Sequence, residues 1–228
     1  MLICKWKKIP DEMKNDAVYQ CWLMLRKKNF SLFCKRIFDI VVSLLMLIVL
    51  SPLVLILAIA IKCDSKGPVF YRQERVTQYG KRFRIHKFRT MYVDSDKGSQ
   101  VTVSNDDRIT RIGHKIRKIR ADELSQLIDV FLGSMTFVGT RPEVPKYVEQ
   151  YTDEMKATLL LPAGVTSLAS IKYKDEDRLL ENAENADATY VNEVLPGKME
   201  YNLQAIRKQS FWRDIGTMFQ TVGAVLRR

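Results

Sequence analysis

The sequence predicts a mixed α/β fold organised as a monotopic membrane protein, with a re-entrant helix-break-helix, a small β-hairpin or sheet, and amphipathic surface helices. Three observations predict it. Ile40 to Ile61 reads IVVSLLMLIVLSPLVLILAIAI, 22 residues without a charge, yet divided near its centre by Ser51-Pro52. Phe83, Ile85 and Lys87 alternate with Arg82, Arg84 and His86, the period of a half-buried strand. Ile109, Ile112, Ile116, Ile119, Leu124, Leu127, Ile128 and Phe131 recur at helical spacing and stop before Gly133, a natural C-cap.

Three stretches follow in order: an amphipathic N-terminal extension (1–31), the re-entrant segment with its basic flank (32–62), and a larger portion expected on the cytoplasmic face (63–228). The first 34 residues mix Trp6, Val18, Tyr19, Trp22, Leu23, Leu25, Phe30 and Phe33 with many lysines. That pattern suits a segment lying on a membrane surface, and equally a helix packing on the rest of the protein.

The apolar run passes the length test of roughly 20 residues for a membrane helix. Nine Lys/Arg precede it, which argues against a cleaved signal peptide. Both flanks are basic, with Arg26, Lys27, Lys28, Lys35 and Arg36 before it and Lys62, Lys66, Arg72 and Arg75 after it. If both prefer the cytoplasm, the segment must enter and return on one side. Pro52 permits this, because it lacks an N–H and its ring clashes with the Ile48 carbonyl, while the Ser51 hydroxyl is placed to satisfy a freed carbonyl. Each half-helix of about 10 to 12 residues reaches roughly 15 to 18 Å, short of the roughly 30 Å hydrocarbon core. A single spanning helix with a tolerated proline kink is the competing structure.

Composition narrows the partners. Lys+Arg 37 against Asp+Glu 26 gives a net charge of +11, which favours nucleic acid, anionic lipid headgroups or a phosphorylated substrate without choosing among them. Cys4, Cys21, Cys34 and Cys63 form no C-x-x-C pair, so neither a zinc site nor a disulfide framework is indicated, and free thiols are expected.

Beyond the membrane run, KGPVFYRQERV offers a turn at Gly67-Pro68 and then a strand, and YGKRFRIHKFRTM completes a hairpin with a very basic face. Asp94 to Asp107 is polar and predicted as a loop. The helical region that follows carries a break near residues 119 to 121. FVGTRPEVPKYVEQY reads as a turn-rich loop opening a short helix, LLPAGVTSLASI as a loop leading to a strand, and Asp175 to Glu200 as an acidic segment. SFWRDIGTMFQTVGAVLRR is a basic-tipped amphipathic helix suited to packing or to a membrane surface.

Asp122 and Glu123 stand out because the 13 residues Arg108 to Arg120 contain six Arg/Lys and no acid. Carboxylates in such a positive field share it with any phosphate drawn there, and one of them can act as nucleophile or hold a divalent ion. On their own the two acids read most simply as first-turn residues complementing a helix dipole. Arg141, in VGTRPE, is aimed by an irregular Gly and Pro backbone at an oxyanion, or is a surface arginine. Lys87 and Arg89, in HKFRTM, are phosphate-clamp candidates with the same ambiguity.

Taken in order, KRIFDI, the apolar run with Ser51-Pro52, KGPVFYRQERV, HKFRTM, DDRITRIGHKIRKIRADELSQLIDVFLGSMTFVGTRPE and LPAGVTS resemble the bacterial sugar transferase family, the small monotopic phosphoglycosyl transferases. The resemblance covers Leu32 to Arg228. It implies an enzyme of the bacterial cytoplasmic membrane that transfers a sugar 1-phosphate from a UDP-sugar to undecaprenyl phosphate on the cytoplasmic face, releasing UMP, as the first step of building a glycan. By matching position, Asp122 is the nucleophile that forms a covalent phosphosugar enzyme, and Glu123 assists with Mg2+ and the incoming lipid phosphate. Arg117, Arg141 and Lys87 match phosphate-binding positions, and Ser51-Pro52 the re-entrant break. The implied partners are the UDP-sugar, undecaprenyl phosphate and membrane lipids, with no nucleic acid; Asp175 to Glu200 and the residues before SFWRDI are candidates for the sugar pocket.

The chain also departs from the family pattern. DELSQL and VGTRPE stand where the common forms are DELPQL and VGPRP, so Ser125 and Thr140 replace prolines, and Arg120 replaces a small polar residue, putting the helix N-cap in doubt. A membrane-tethered basic binding protein or a non-catalytic scaffold is the alternative; it tolerates Asp122→Asn, which an enzyme does not.

Overall fold

The computed structural model describes residues 3–93, 107–174, 176 and 185–226. Residues 94–106 of the predicted polar loop, and Asp175 and 177–184 of the acidic segment, lie outside that description.

The N-terminal residues form part of the core. Two 3-10 turns (Trp6–Lys8 and Asp11–Met13) lead into α1 (Asp16–Arg26), capped by Asn15, whose side chain accepts from the Val18 N–H at 2.9 Å. Val18, Cys21, Trp22 and Leu25 recur at i, i+3, i+4 and i+7 and all are buried. With Ile3, Ile9 and Met13 they pack against Val144, Tyr147, Tyr151, Leu160, Leu195 and Met199 in the largest apolar cluster. Trp22 Nε1 donates to the Cys4 carbonyl at 2.9 Å. Of the two readings of this segment, packing on the rest of the protein is the one the fold adopts.

α2 (Asn29–Asp64) corrects the predicted break: it is one helix of 36 residues, about 54 Å long, with Pro52 inside it. The reason is local. Pro52 leaves the Ile48 carbonyl without its amide partner, and Ser51 Oγ donates to that carbonyl at 2.8 Å, so the helix absorbs the proline. One stripe faces the protein along the whole length: Leu32, Lys35, Asp39 and Ser43, then Met46 and Leu50, then Val54, Leu57 and Ile61. The opposite face leaves Ile37, Val41, Leu45, Ile48, Val49, Leu55, Ile56 and Ile59 exposed, Val49 by 73%. This is the only helix among the described residues long and apolar enough to cross a membrane.

Both ends of α2 are held by the same body. Near its start, Arg36 donates to the Val130 and Phe131 carbonyls (2.6 and 2.8 Å), and Asp39 accepts from Thr136 Oγ1 (2.6 Å) and the Phe137 N–H (3.3 Å). At its end, Asp64 accepts from the Ile112 N–H at 2.9 Å, and Arg89 donates to the Ser65 and Lys66 carbonyls (2.7 and 2.5 Å). Gly67, at φ 127°, makes room for that arginine, since a Cβ there would stand 1.9 Å from Arg89 Nη1.

The predicted hairpin is present. β2 (Glu74–Val76) pairs antiparallel with β3 (Arg82–Arg84), and β1 (Phe70–Tyr71) with β4 (Lys87–Phe88). Ile85 and Phe88 are buried while Arg82 and Arg84 point outward, as the alternation requires. The helical region divides where expected: α3 (Arg111–Lys118), a 3-10 turn (Ala121–Gln126), then α4 (Leu127–Leu132), stopped by Gly133 at φ 93°.

β5 (Met135–Val138) runs parallel to β6 (Ala163–Thr166), with α5 (Pro145–Val148) between them. The strand expected after LLPAGVTS therefore sits within that motif, and α6 (Leu168–Lys172) follows it. α7 (Ala186–Thr189) continues through a π turn (Tyr190–Val194) into α8 (Leu195–Arg207). α9 (Phe211–Leu226) packs on α2, α6, β5 and β6 and keeps Trp212 (78%) and Phe219 (74%) exposed.

Candidate active site

Four of the five residues singled out for chemistry converge at the junction between α3 and α4. Thr110 caps α3, its Oγ1 accepting from the Gly113 N–H at 3.0 Å, and the helix ends at Lys118. Arg120 then turns left-handed (φ 53°), a conformation that costs a non-glycine residue on the order of 1 kcal/mol. Its side chain caps nothing, so the doubt raised by its sequence is justified. This reversal puts Asp122 and Glu123 in the first turn of the 3-10 segment. β4 brings Lys87, and the loop leaving β5 brings Arg141.

The two carboxylates have different neighbours. Arg141 Nη2 donates a short hydrogen bond to Glu123 Oε1, and Lys87 Nζ lies 3.5 Å from that same oxygen. Although burial pushes Glu123 up, Arg141 and Lys87 outweigh it and hold this carboxyl well below the usual carboxylate range. Asp122 goes the other way. Its closest cation is Lys87 at 3.8 Å, and burial, helped by the charge on Glu123, raises it above its ordinary value against the pull of Lys87, Arg117 and Arg141. Lys87 itself is lowered, by burial first and by Arg141 and Arg75 next, with Glu123 opposing. Adjacent acids pushed in opposite directions divide the work: one stays a fixed anion, and the other keeps the basicity a nucleophile needs.

Arg117, the fifth residue, leans toward Asp122 electrostatically, and its Nη1 is buried with no hydrogen-bond partner. A buried, unsatisfied guanidinium nitrogen beside a carboxylate is what an anion site looks like before its anion arrives. Arg89 lies elsewhere. Two residues after Lys87, it is buried against the carbonyls at the end of α2 and serves as that helix's cap, not as a clamp. Ser51 and Pro52 lie on the exposed face of α2.

Several contributors escaped the sequence. Arg75 donates to the Pro142 carbonyl at 3.1 Å and so braces the loop that carries Arg141. Glu143, buried, accepts from Tyr190 at 2.6 Å and lies 3.7 Å from Lys198, which in turn holds Glu176 at 2.9 Å. Glu176 and Glu143 both add to the field on Arg141. Tyr190 opens the π turn, a distortion often found at functional sites. His86 and Asp129 pair behind Lys87. A cavity of about 140 Å³, walled by Lys35, Ser167, Asn202 and Asp214, shares Gly139 and Thr140 with the Arg141 loop.

Among the described residues no three His, Cys, Asp or Glu side chains gather as a metal cage. Asp122 and Glu123 fit a magnesium ion only where substrate phosphates and water complete the shell, the ordinary manner for that ion.

A family model described as bacterial sugar transferase matches residues 30–228. The chain is 39% identical over 194 residues to the UDP-glucose:undecaprenyl-phosphate glucose-1-phosphate transferase of Klebsiella pneumoniae, covering 82% of this chain and 39% of that protein. It is 34% identical over 198 residues to the UDP-N-acetylgalactosamine-undecaprenyl-phosphate N-acetylgalactosaminephosphotransferase of Aeromonas hydrophila, covering 85% of this chain and 44% of that one. A putative undecaprenyl-phosphate N-acetylgalactosaminyl 1-phosphate transferase of Bacillus subtilis is 40% identical over 122 residues, 53% of this chain and 68% of its own length. The chain thus spans about two fifths of the length of the Klebsiella and Aeromonas relatives.

Proposed function

The chain belongs to the bacterial sugar transferase family, and from that membership we propose that it moves a sugar 1-phosphate from a UDP-sugar to undecaprenyl phosphate, releasing UMP and initiating a bacterial glycan. The donor and acceptor are those in the names of its relatives. The observation that carries the reading is the split between Asp122 and Glu123 inside a cage of Lys87, Arg117 and Arg141.

Asp122 Oδ attacks the sugar-bearing phosphorus, the bond to the UMP oxygen breaks, and UMP leaves with the electron pair. The undecaprenyl phosphate oxygen then attacks the same phosphorus and displaces Asp122, restoring the free carboxylate. Arg117, Arg141 and Lys87 neutralise the charge on the phosphates, which is most of what such a transfer asks of a protein. Magnesium held by Glu123, Asp122 and the diphosphate would supply further neutralisation. Because Arg141 already holds Glu123 as an anion, that side chain orients the cations and leaves attack to its neighbour. Glu176, Tyr190 and Lys198 stand behind the Arg141 loop, which supports the acidic segment as one wall of the sugar pocket.

The protein sits monotopically on the cytoplasmic face of the inner membrane, α2 dipping into one leaflet with both ends on the same side. The bonds that tie Arg36 and Asp64 to one body support this, as does the apolar face of α2 opposite them. A spanning helix would need those ends on opposite sides of the bilayer.

The test is incubation of detergent-solubilised protein with a panel of UDP-sugars, first without acceptor. Mass spectrometry should find a phosphosugar adduct on Asp122 that undecaprenyl phosphate discharges. UMP release without any adduct removes the covalent step, and no UMP from any donor leaves the scaffold reading standing. Labelling Cys34 and Cys63 in intact cells should find neither thiol from the periplasm; periplasmic reaction at Cys63 restores the spanning helix.

A further inference from the structure

Lys87 reaches both carboxylates across gaps of 3.5 and 3.8 Å, so its influence depends on where the backbone sets it down. That backbone is gripped at His86. Ser125 Oγ donates to the His86 carbonyl at 3.0 Å, and the His86 N–H donates to Asp129 Oδ2 at 2.8 Å. The ring is held as well, Nδ1 against Asp129 Oδ1 at 2.8 Å and Nε2 against Arg72 Nη1 at 2.6 Å. Arginine can only donate, so Nε2 accepts and the ring proton sits on Nδ1, facing the carboxylate.

We infer that Ser125 is a positioning residue of the site, acting with the Asp129–His86 pair to fix Lys87 against Asp122 and Glu123. Ser125 lies in the same 3-10 turn as both acids, is 2% exposed, and its Oγ is also 3.4 Å from the Asp122 carbonyl. One hydroxyl thus joins the turn that carries the carboxylates to the strand that carries the cation. A proline, the common family form at this position, has no donor to make the link. Ser125, His86 and Asp129 also do not form a nucleophilic relay, because the serine hydroxyl bonds the main chain of His86 and not its ring. Charge placement of this kind is sensitive, since displacements on the order of 1 Å weaken catalytic contacts severely.

The inference rests on reading the site as a binder of nucleoside diphosphate, and its test needs no turnover. UDP affinity is measured by calorimetry for the wild type, Ser125→Ala, Lys87→Met and the double variant. Loss of one neutral hydrogen bond corresponds to about a five-fold change, so Ser125→Ala should weaken UDP by about that factor. Lys87→Met should weaken it by about ten-fold or more, the loss expected for a charge-assisted contact.

The double variant should be no weaker than Lys87→Met alone, because the serine works through the lysine. Ser125→Thr, which keeps the hydroxyl, should restore wild-type affinity. Losses that multiply in the double variant, or a Ser125→Ala protein that binds UDP normally, overturn the assignment. Should Ser125→Ala fail to fold, Asp129→Asn carries the same cycle, since it keeps an acceptor for the His86 N–H while losing the charge. A chain that binds UDP with this pattern and transfers no sugar refutes the proposed reaction alone; one that binds no UDP refutes both.

Discussion

Around Glu123 the charges are already settled: Arg141 holds one oxygen, Lys87 stands beside it, and Glu143, Tyr190, Lys198 and Arg75 brace the loop behind. Around Asp122, a few ångströms away, Lys87 lies beyond hydrogen-bond distance, Arg117 keeps a buried nitrogen unpaired, and the turn begins on a left-handed arginine. One half of the site is finished without substrate and the other is held open for it. The contrast separates residues that build the site from residues that react in it, a distinction the Asp-Glu dipeptide does not display.

The sharpest way to break that contrast is Asp122→Asn. If Asp122 is the nucleophile, UMP release falls on the order of 10³-fold or more, as for other covalent catalysts that lose theirs, and no adduct forms. Comparable turnover would remove the division of roles.

The next test sets the two acids against each other in stability. Glu123 is lowered, so the stability it contributes is present above its ordinary value of 4.5 and is lost as pH falls through its depressed value. Glu123→Gln leaves Arg141 unpaired in a partly buried place, and at pH 7 it should cost about 2 kcal/mol in thermal unfolding, a deficit that shrinks below pH 4.5. Asp122 is raised, so its contribution is present below 3.8 and is lost as pH rises through its elevated value. Asp122→Asn should therefore melt a few degrees higher than the wild type at pH 7, and the gain should vanish in acid. Destabilisation by both substitutions would contradict the opposite settings.

The smallest expected effect comes from Arg117→Gln. Because its buried nitrogen has no protein partner to lose, the melting temperature should hardly move, while KM for the UDP-sugar rises about ten-fold with loss of one charge-assisted contact. A large drop in stability with unchanged KM would make Arg117 part of the finished half.

Periodicity carried much of the fold. The apolar positions from Ile109 to Phe131 located α3, the break and α4, and Gly133 ended the last of these in the conformation that glycine allows. Pro52 was misread as an interruption because backbone rules alone ignore the neighbouring hydroxyl, and Ser51 supplies the bond that keeps α2 whole. Residues 3–26 looked like surface because lysines surround their apolar positions, yet the stripe from Val18 to Leu25 is among the best buried in the molecule.

Within the site, the charged cluster around Asp122 and Glu123 was legible because one sign dominates thirteen residues in a row. Lys87 and Arg89 could not be told apart, since a strand puts both on one face and only the element opposite decides their use. Tyr190 stayed hidden for a related reason: it meets Glu143 across 47 residues of chain, and nothing local to either marks the pair.

The cap that Arg89 places on α2 sets a distance. Lys87 stands two residues before it on the same extended stretch, about 7 Å along the chain. On the proposed seating, this strut works as a gauge: if α2 sinks deeper or the leaflet thickens, the lysine descends or rises with it. The gap between the chemistry and the lipid headgroups is then fixed by covalent chain and not by the bilayer, so the same acceptor phosphate is met at the same depth in membranes of different composition.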